Sequence, residues 1–546
     1  MVIRYWLPVI GAISVIGLAS SAIAASSSGA QGAARAAPAD WPAYNRTVGG
    51  DRYSPLRQIN RANVSKLKDV CTYELPELTA FQTGPVVVDG TMYFTTAHNS
   101  YAIDAVDCHL KWMQPVSSKP GGLGANRGFA YLDGMLFRGT PAGHVIALSA
   151  ADGHQIWDHS IDVADTPGVS IPMAPIAADG RVYVGNASGD NVGVTGHVYA
   201  LDAHDGHLLW KFDVVGPAVR STWTNAKLPI TGGAFWTSFT FDQAKGVLYV
   251  PAGNPAPDFD SLDRTGDDLY SDSVIALDGA SGRMLGYHQL VRHDNHDWDV
   301  NSAPMLATTR TGREIIASAN KDGLLSILDR SAVGGSTSAA SANASPPVIP
   351  LLSQTPTTTR TNVNVPLSSD RTVHFCPGIG GGSEWNGAAY SPQTDSLFVG
   401  AVDQCVRVRL QRPLAVPPAG QIWFASSIPL NQMTDPASGA TGWLTAFNAE
   451  NGRVRWKFHA PHPMLAGVTP TAGGLVFAAD LGGTVYAVDQ RSGHVLWTRD
   501  TGQAIGGGIV SYAVDGHQRI AVAAGMRSQL WTSAASASRI VVYGLH

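Results

Sequence analysis

A short phrase recurs along this chain: an apolar run ending in Ala-x-Asp, a turn containing Gly, then an aromatic residue. Val198 to Trp210 is the clearest copy, with Asp202, Gly206 and Trp210 at its fixed points. Tyr101 to Trp112, Val145 to Trp157, Leu444 to Trp456 and Val485 to Trp497 repeat it with few changes. Val274 to Tyr287 and Leu325 to Gly334 are degenerate copies that keep Asp278 and Asp329 but lose the regular Trp. Self-similarity in units of roughly 40–50 residues marks a closed repeat architecture, because each unit can bury its apolar face only against the next copy.

Within each copy the apolar alternation up to the Asp, the Gly turn and the Trp-bearing segment read as strand, turn, strand. The predicted fold is all-β, an eight-bladed β-propeller with tryptophan-docking repeats, and 59 Gly and 33 Pro suit so many tight turns. Asp104, Ser149, Asp202, Asp278, Asp329, Asn448 and Asp489 mark blades, and the strands near Ile540 to Gly544 supply an eighth. The wide gap from Asp329 to Asn448 is expected to hold a blade whose copy has decayed, its strands lying in Ala389 to Val402. Ser331 to Asn362, rich in Ser, Ala, Thr and Pro, reads as an excursion. An N-terminal strand pairing with the last blade would close the ring and remove the exposed edge. Trp112, Trp157, Trp210, Trp456 and Trp497 are expected to pack between sheets rather than to do chemistry.

Arg4, the apolar stretch from Tyr5 to Leu18 and Ala22-Ile23-Ala24 give residues 1–24 the charge, core and cleavage site of a secretory signal. A membrane anchor is the alternative, against which the shortness of the apolar run counts. Residues 25–38 read as a flexible lead-in and residues 39–546 as one propeller, so a periplasmic or secreted location is expected. A net charge of −5 with scattered Lys and Arg gives no basic stripe, and no nucleic-acid partner is expected. In an exported chain four cysteines invite pairing, and Cys71 with Cys108 and Cys376 with Cys405 is the simplest of three connectivities. No Cys-x-x-Cys-His occurs, so no covalently attached haem is expected in this chain.

Several segments that interrupt the repeat resemble those of the quinoprotein alcohol dehydrogenases, propeller enzymes that bind pyrroloquinoline quinone. They are Asp40-Trp-Pro-Ala-Tyr with Asp51 to Asn60, Trp236 to Asp242 leading into Gly253-Asn-Pro-Ala-Pro257, and His293-Asp-Asn-His-Asp-Trp-Asp299. The resemblance implies that Trp236 forms the flat floor beneath the quinone. It implies that Asn254 offers a neutral oxygen to a metal ion, calcium or a lanthanide. Asp297 corresponds to the catalytic base beside the alcohol hydroxyl. Asp299 is the extra carboxylate that lanthanide-using members carry, and on a strand it would face the same side as Asp297. Lys321 matches a cation that touches the quinone oxygens and Arg127 one that pairs with a cofactor carboxylate. Ser188 and Gly189 match a turn lying against the cofactor.

Three positions depart from the family pattern. Gly121-Gly122 stands where many members have adjacent cysteines, and Asn191, with Asp190 beside it as a possible substitute, stands at the metal-binding glutamate. Glu384, before Trp385 in the presumed cofactor wall, replaces an Asn, as in the polyvinyl-alcohol-dehydrogenase-like branch. An acid there repels an anionic cofactor unless it is protonated or metal-bound. The expected function is an exported dehydrogenase that oxidises a small or polymeric alcohol to an aldehyde or ketone and passes electrons to a separate cytochrome c or similar acceptor. A propeller that has lost its cofactor and serves as a periplasmic scaffold is the alternative, and the histidines of the Asp-rich segment leave zinc as a further option.

Overall fold

A computed structural model describes residues 39–116, 124–223, 227–334, 346–435, 437, 439–533 and 535–545. The leader, the lead-in and Gly121-Gly122 lie outside the described residues. Eight four-stranded antiparallel sheets follow one another around a ring, with two two-stranded ribbons inserted. Among the described residues the helical pieces are 3-10 turns of three residues.

The first blade shows how the repeat phrase becomes structure. Its strands are Val86–Val88, Thr91–Thr95, Asn99–Asp104 and Leu110–Pro115, from the hub outward. Val86–Val88 is buried throughout, whereas Leu110–Pro115 alternates between exposed and half-buried. Hydrophobic demand therefore falls from hub to rim, as expected of sheets stacked face to face. At the end of the third strand Asp104 turns its carboxylate onto the Val106 N–H (2.8 Å), and Asp202, Asp278, Asp329, Asn448 and Asp489 cap their own turns in the same way. Beside the turn the register with the fourth strand shifts by one residue, as where Ala200 and Leu201 face Trp210 and Leu208 and leave Leu209 as a bulge.

The bulged turn positions the Gly against the preceding blade. Gly206 has a φ of 78°, and a Cβ there would lie 2.7 Å from the Trp157 indole; Gly153, Gly282 and Gly493 meet Trp112, Trp210 and Trp456 likewise. Each indole also donates to a carbonyl of that turn: Trp157 Nε1 to Ala203 O at 3.0 Å, Trp210 Nε1 to Gly279 O at 3.0 Å. One aromatic side chain thereby ties the first blade to the second, the second to the third, the third to the fourth and the sixth to the seventh.

Lys68–Glu74 pairs antiparallel with Arg539–Gly544 and completes the eighth sheet, closing the ring. The Cys71–Cys108 disulfide crosses this seam, from the closing strand to the third-strand turn of the first blade. The second disulfide joins Cys376 to Cys405. One expectation needs correction: Ala388–Ser391 and Ser396–Gln404 are the first two strands of the blade marked by Asn448, not a separate decayed copy. An insertion of residues 405–439 divides that blade's second and third strands and accounts for the wide gap. Leu351–Pro356, within the Ser331 to Asn362 excursion, is the rim strand of the fifth blade.

The insertion and the segment before the sixth blade form a cap. Val373–Phe375 pairs with Val406–Val408, and Val373, Phe375, Val406, Val408, Leu410 and Met433 share a core with Phe259 and Trp298. Those last two residues neighbour the acidic positions of the hub.

Candidate cofactor and metal site

The Asp-rich segment is a loop and not the strand expected, so Asp297 and Asp299 reach the hub by another route. Asp294, buried, accepts from the N–H groups of His296 (3.1 Å) and Trp298 (2.9 Å) and bends the backbone. Asp297 is held at a φ of 62°, a left-handed conformation that Asp tolerates better than most residues. Lys321 then gathers both carboxylates, its Nζ lying 3.2 Å from Asp297 Oδ1 and 2.6 Å from Asp299 Oδ2. The histidines leave the group: His293 Nδ1 contacts Gly266 O at 2.7 Å, and His296 stacks on Trp298 with ring centroids 4.1 Å apart. That geometry removes them as zinc ligands alongside Asp297.

Oxygen atoms of Asp190, Asp258 and Asp297 lie within 4.8 Å of one another. Asn254 joins them, donating from Nδ2 to Asp258 Oδ1 at 3.2 Å and from its backbone N–H to Asp299 Oδ1 at 3.1 Å. Asn191 does not: it is half-buried, bridges to Ile422 and packs its amide against Gly168. Ser188, at a φ of 76°, starts the turn that exchanges the two neighbours, so that Asp190 and not Asn191 faces the cluster. Asp258 is the residue that sequence reasoning missed, since Pro-Ala-Pro-Asp reads as an ordinary turn.

Burial, reinforced by neighbouring carboxylates, pushes Asp297 and Asp258 well above the usual carboxylate range and Asp190 up to about 6. Burial alone would lower Lys321, but Asp297, Asp299, Glu384 and Asp190 outweigh it and raise the lysine further. Such mutual repulsion is relieved by a bound cation, and a set of buried hard oxygens at this spacing suits one.

Beside the carboxylates lies a flat, cationic wall. Trp236 is half-buried, and its Nε1 donates to Asp299 Oδ1 at 3.1 Å. The Arg127 guanidinium lies 4.8 Å from the Trp236 ring centre and 5.2 Å from that of Trp385, while Lys321 Nζ is 5.5 Å from Trp236. Arg127 is 5% exposed, donates to Trp236 O at 2.8 Å, leaves Nε unpartnered and has no ion-pair partner among the described residues. A buried guanidinium without a carboxylate is costly unless an anionic ligand completes it. Glu384 Oε2 accepts from Asn301 Nδ2 at 3.1 Å, and burial raises its carboxyl to about 8, which favours the neutral acid and lessens the repulsion foreseen for an anionic cofactor. Glu384 Oε1, Ser383 Oγ and Asn301 Oδ1 are buried without partners. Ser188 Oγ meets Ser170 Oγ at 3.3 Å, and Gly189 packs against Ala234, next to the Trp236 segment. The residues present thus fit a planar polyanionic quinone over a metal ion.

Comparison with known proteins agrees with this geometry. Residues 41–334 match the family model for the glucose/ethanol/alcohol dehydrogenase β-propeller domain, and residues 440–543 match that of the outer membrane protein assembly factor BamB. A lanthanide-dependent methanol dehydrogenase of Methylacidiphilum fumariolicum is 28% identical over 90% of this chain and 85% of its own length. A quinohemoprotein alcohol dehydrogenase of Comamonas testosteroni is 28% identical over 89% of this chain and 72% of its own. The crystal structure of the Comamonas testosteroni quinohemoprotein alcohol dehydrogenase superposes with a TM-score of 0.80 at 26% identity, covering 94% of this chain and 81% of that one. The chain belongs to the pyrroloquinoline quinone dehydrogenase propellers. It is an oxidoreductase of that family, whose chemistry uses the quinone together with a metal ion.

Proposed function

We propose that this protein oxidises an alcohol to an aldehyde or ketone outside the cytoplasm and hands the electrons to a separate carrier such as cytochrome c. The observation that carries the reading is the pairing of a buried Arg127, without an ion-pair partner among the described residues, over Trp236 with an acidic cluster one hydrogen bond from the same indole. A scaffold needs none of these. Asp190, Asn254, Asp297 and Asp299 would hold the ion, Trp236 would form the floor, and Arg127 and Lys321 would pair with the anionic groups of the quinone. When bound, the quinone supplies the two-electron acceptor and the ion the charge that polarises it.

Asp297 takes the hydroxyl proton of the alcohol as the hydride equivalent leaves the adjacent carbon. The base needs to be ionised for this, and Lys321 together with a neighbouring cation favours that form. Arg127 and Lys321 would also stabilise the more anionic, reduced form of the quinone. The Arg4-led apolar leader and two disulfides support an oxidising compartment. Among the described residues no helix is long and apolar enough to cross a membrane.

The test is reconstitution. Purified apoprotein mixed with pyrroloquinoline quinone and calcium or a lanthanide should shift the cofactor absorption and reduce a dye when small or polymeric alcohols are added. Asp297→Asn should lower kcat by about 10²–10⁴-fold while leaving the absorption shift in place. No shift with either metal would favour the scaffold reading.

A further inference from the structure

Asp258 has no role in the assignment above, yet it is the most committed acid of the hub. It is fully buried, Oδ1 accepts from Asn254 Nδ2 at 3.2 Å, and Oδ2 has no hydrogen-bond partner. A buried carboxylate oxygen left bare is unfavourable by several kcal/mol unless a cation or donor meets it. Its position is also built. The cap residue Trp423, itself buried, accepts from the Asp258 N–H (3.1 Å) and donates its own N–H to Asp190 O (2.8 Å). One residue of the insertion therefore fixes two acids from different blades, and Phe259 and Trp298 seal them from the cap side.

We infer that Asp258 is a fourth carboxylate ligand of the ion and makes the site selective for a trivalent cation. The inference rests on the reading of Asp190, Asn254, Asp297 and Asp299 as the ion's cradle. Four ionised aspartates set against Lys321 leave three negative charges in a buried space. A divalent ion leaves one of them uncompensated, whereas a trivalent ion balances all three. An oxygen spacing within 4.8 Å is what two ligands of one hard cation allow at roughly 2.3–2.6 Å each.

Binding is measured on the full-length apoprotein without quinone. Trp236, hydrogen-bonded to Asp299, is placed to sensitise terbium luminescence, and calcium is followed by competition. Wild type should prefer terbium by at least about 100-fold. Asp258→Asn keeps the shape and the Asn254 bond, and it should narrow that preference on the order of ten-fold by weakening terbium more than calcium, since attraction scales with ion charge. In chelator the variant should melt no lower than wild type, because a repulsion has been removed; a lower melting temperature would assign Asp258 a structural hydrogen bond and overturn the inference. An unchanged terbium-to-calcium ratio in Asp258→Asn, with Asp190→Asn weakening both ions, would also overturn it while leaving the cradle intact. Wild type that binds neither ion would sink the cradle as well.

Discussion

Single side chains set much of this protein's response to acidity. Asp322, beside Lys321, is buried; burial raises its carboxyl to about 7 against the pull of the Leu324 N–H (3.0 Å) and Arg360, with Asp294 adding to the rise. The folded chain therefore holds a proton that the unfolded chain releases near pH 4. The stability linked to this residue is present below pH 4 and drains away as pH rises to about 7. Asp322→Asn should flatten that decline by on the order of 2–4 kcal/mol between pH 4 and pH 8, read from urea midpoints; an identical slope would contradict it. Residue identity was also where the sequence was hardest to read. Asp190 and Asn191 are adjacent, and in the fold it is Asp190 that joins the hub cluster while Asn191 bridges to Ile422. Asp258 gave no signal, because its importance comes from Asp190 and Asp297, which lie far from it in sequence. Trp236, Arg127 and Lys321 were singled out because the segments around them resemble those of the quinoprotein family.

At the scale of the blade, the phrase works as one docking device: the Asp caps a turn, the turn presents a Gly, and the Gly receives the neighbour's Trp. Gly206→Ala adds a methyl group 2.7 Å from Trp157 at a φ of 78°. Its cost should be about 2–4 kcal/mol in denaturant, combining left-handed strain with overpacking. Gly180→Ala, at a φ of 73° with nothing within 4 Å, should cost only about 1 kcal/mol. Equal losses at the two sites would mean that the indole contact carries no weight. The phrase made the blade count legible, but it could not disclose the cap. Residues 405–439 lack periodicity, and their fold depends on apolar contacts with Phe259 and Trp298 from elsewhere in the chain. Where the phrase decays, the partner surface decays with it: Gly452 meets Ser353 and Thr355 instead of an indole.

For the whole ring, the seam is packed like any other blade boundary and is also cross-linked. Phe94 and Tyr101 of the first blade share a core with Tyr512 and Val542 of the last, and Tyr512 donates its hydroxyl to Ala105 O at 2.7 Å. Cys71–Cys108 encloses a sequence separation of 37 residues, for which chain entropy gives about 4 kcal/mol. The Cys71→Ser/Cys108→Ser variant should lose about that much stability, with hydrogen exchange accelerating first in Lys68–Glu74 and Arg539–Gly544. Uniform acceleration around the ring would show that the seam is no weaker than its neighbours.

Lys68 finds its partner in Gly544, so the sealing strand must wait for a strand made long after it before it can pair. Such late, non-local pairing is slow and leaves an unpaired edge during maturation. The ring is therefore closed only once Lys68–Glu74 has paired with Arg539–Gly544. On this topology, quinone and ion are expected to load after the sealing strand has paired.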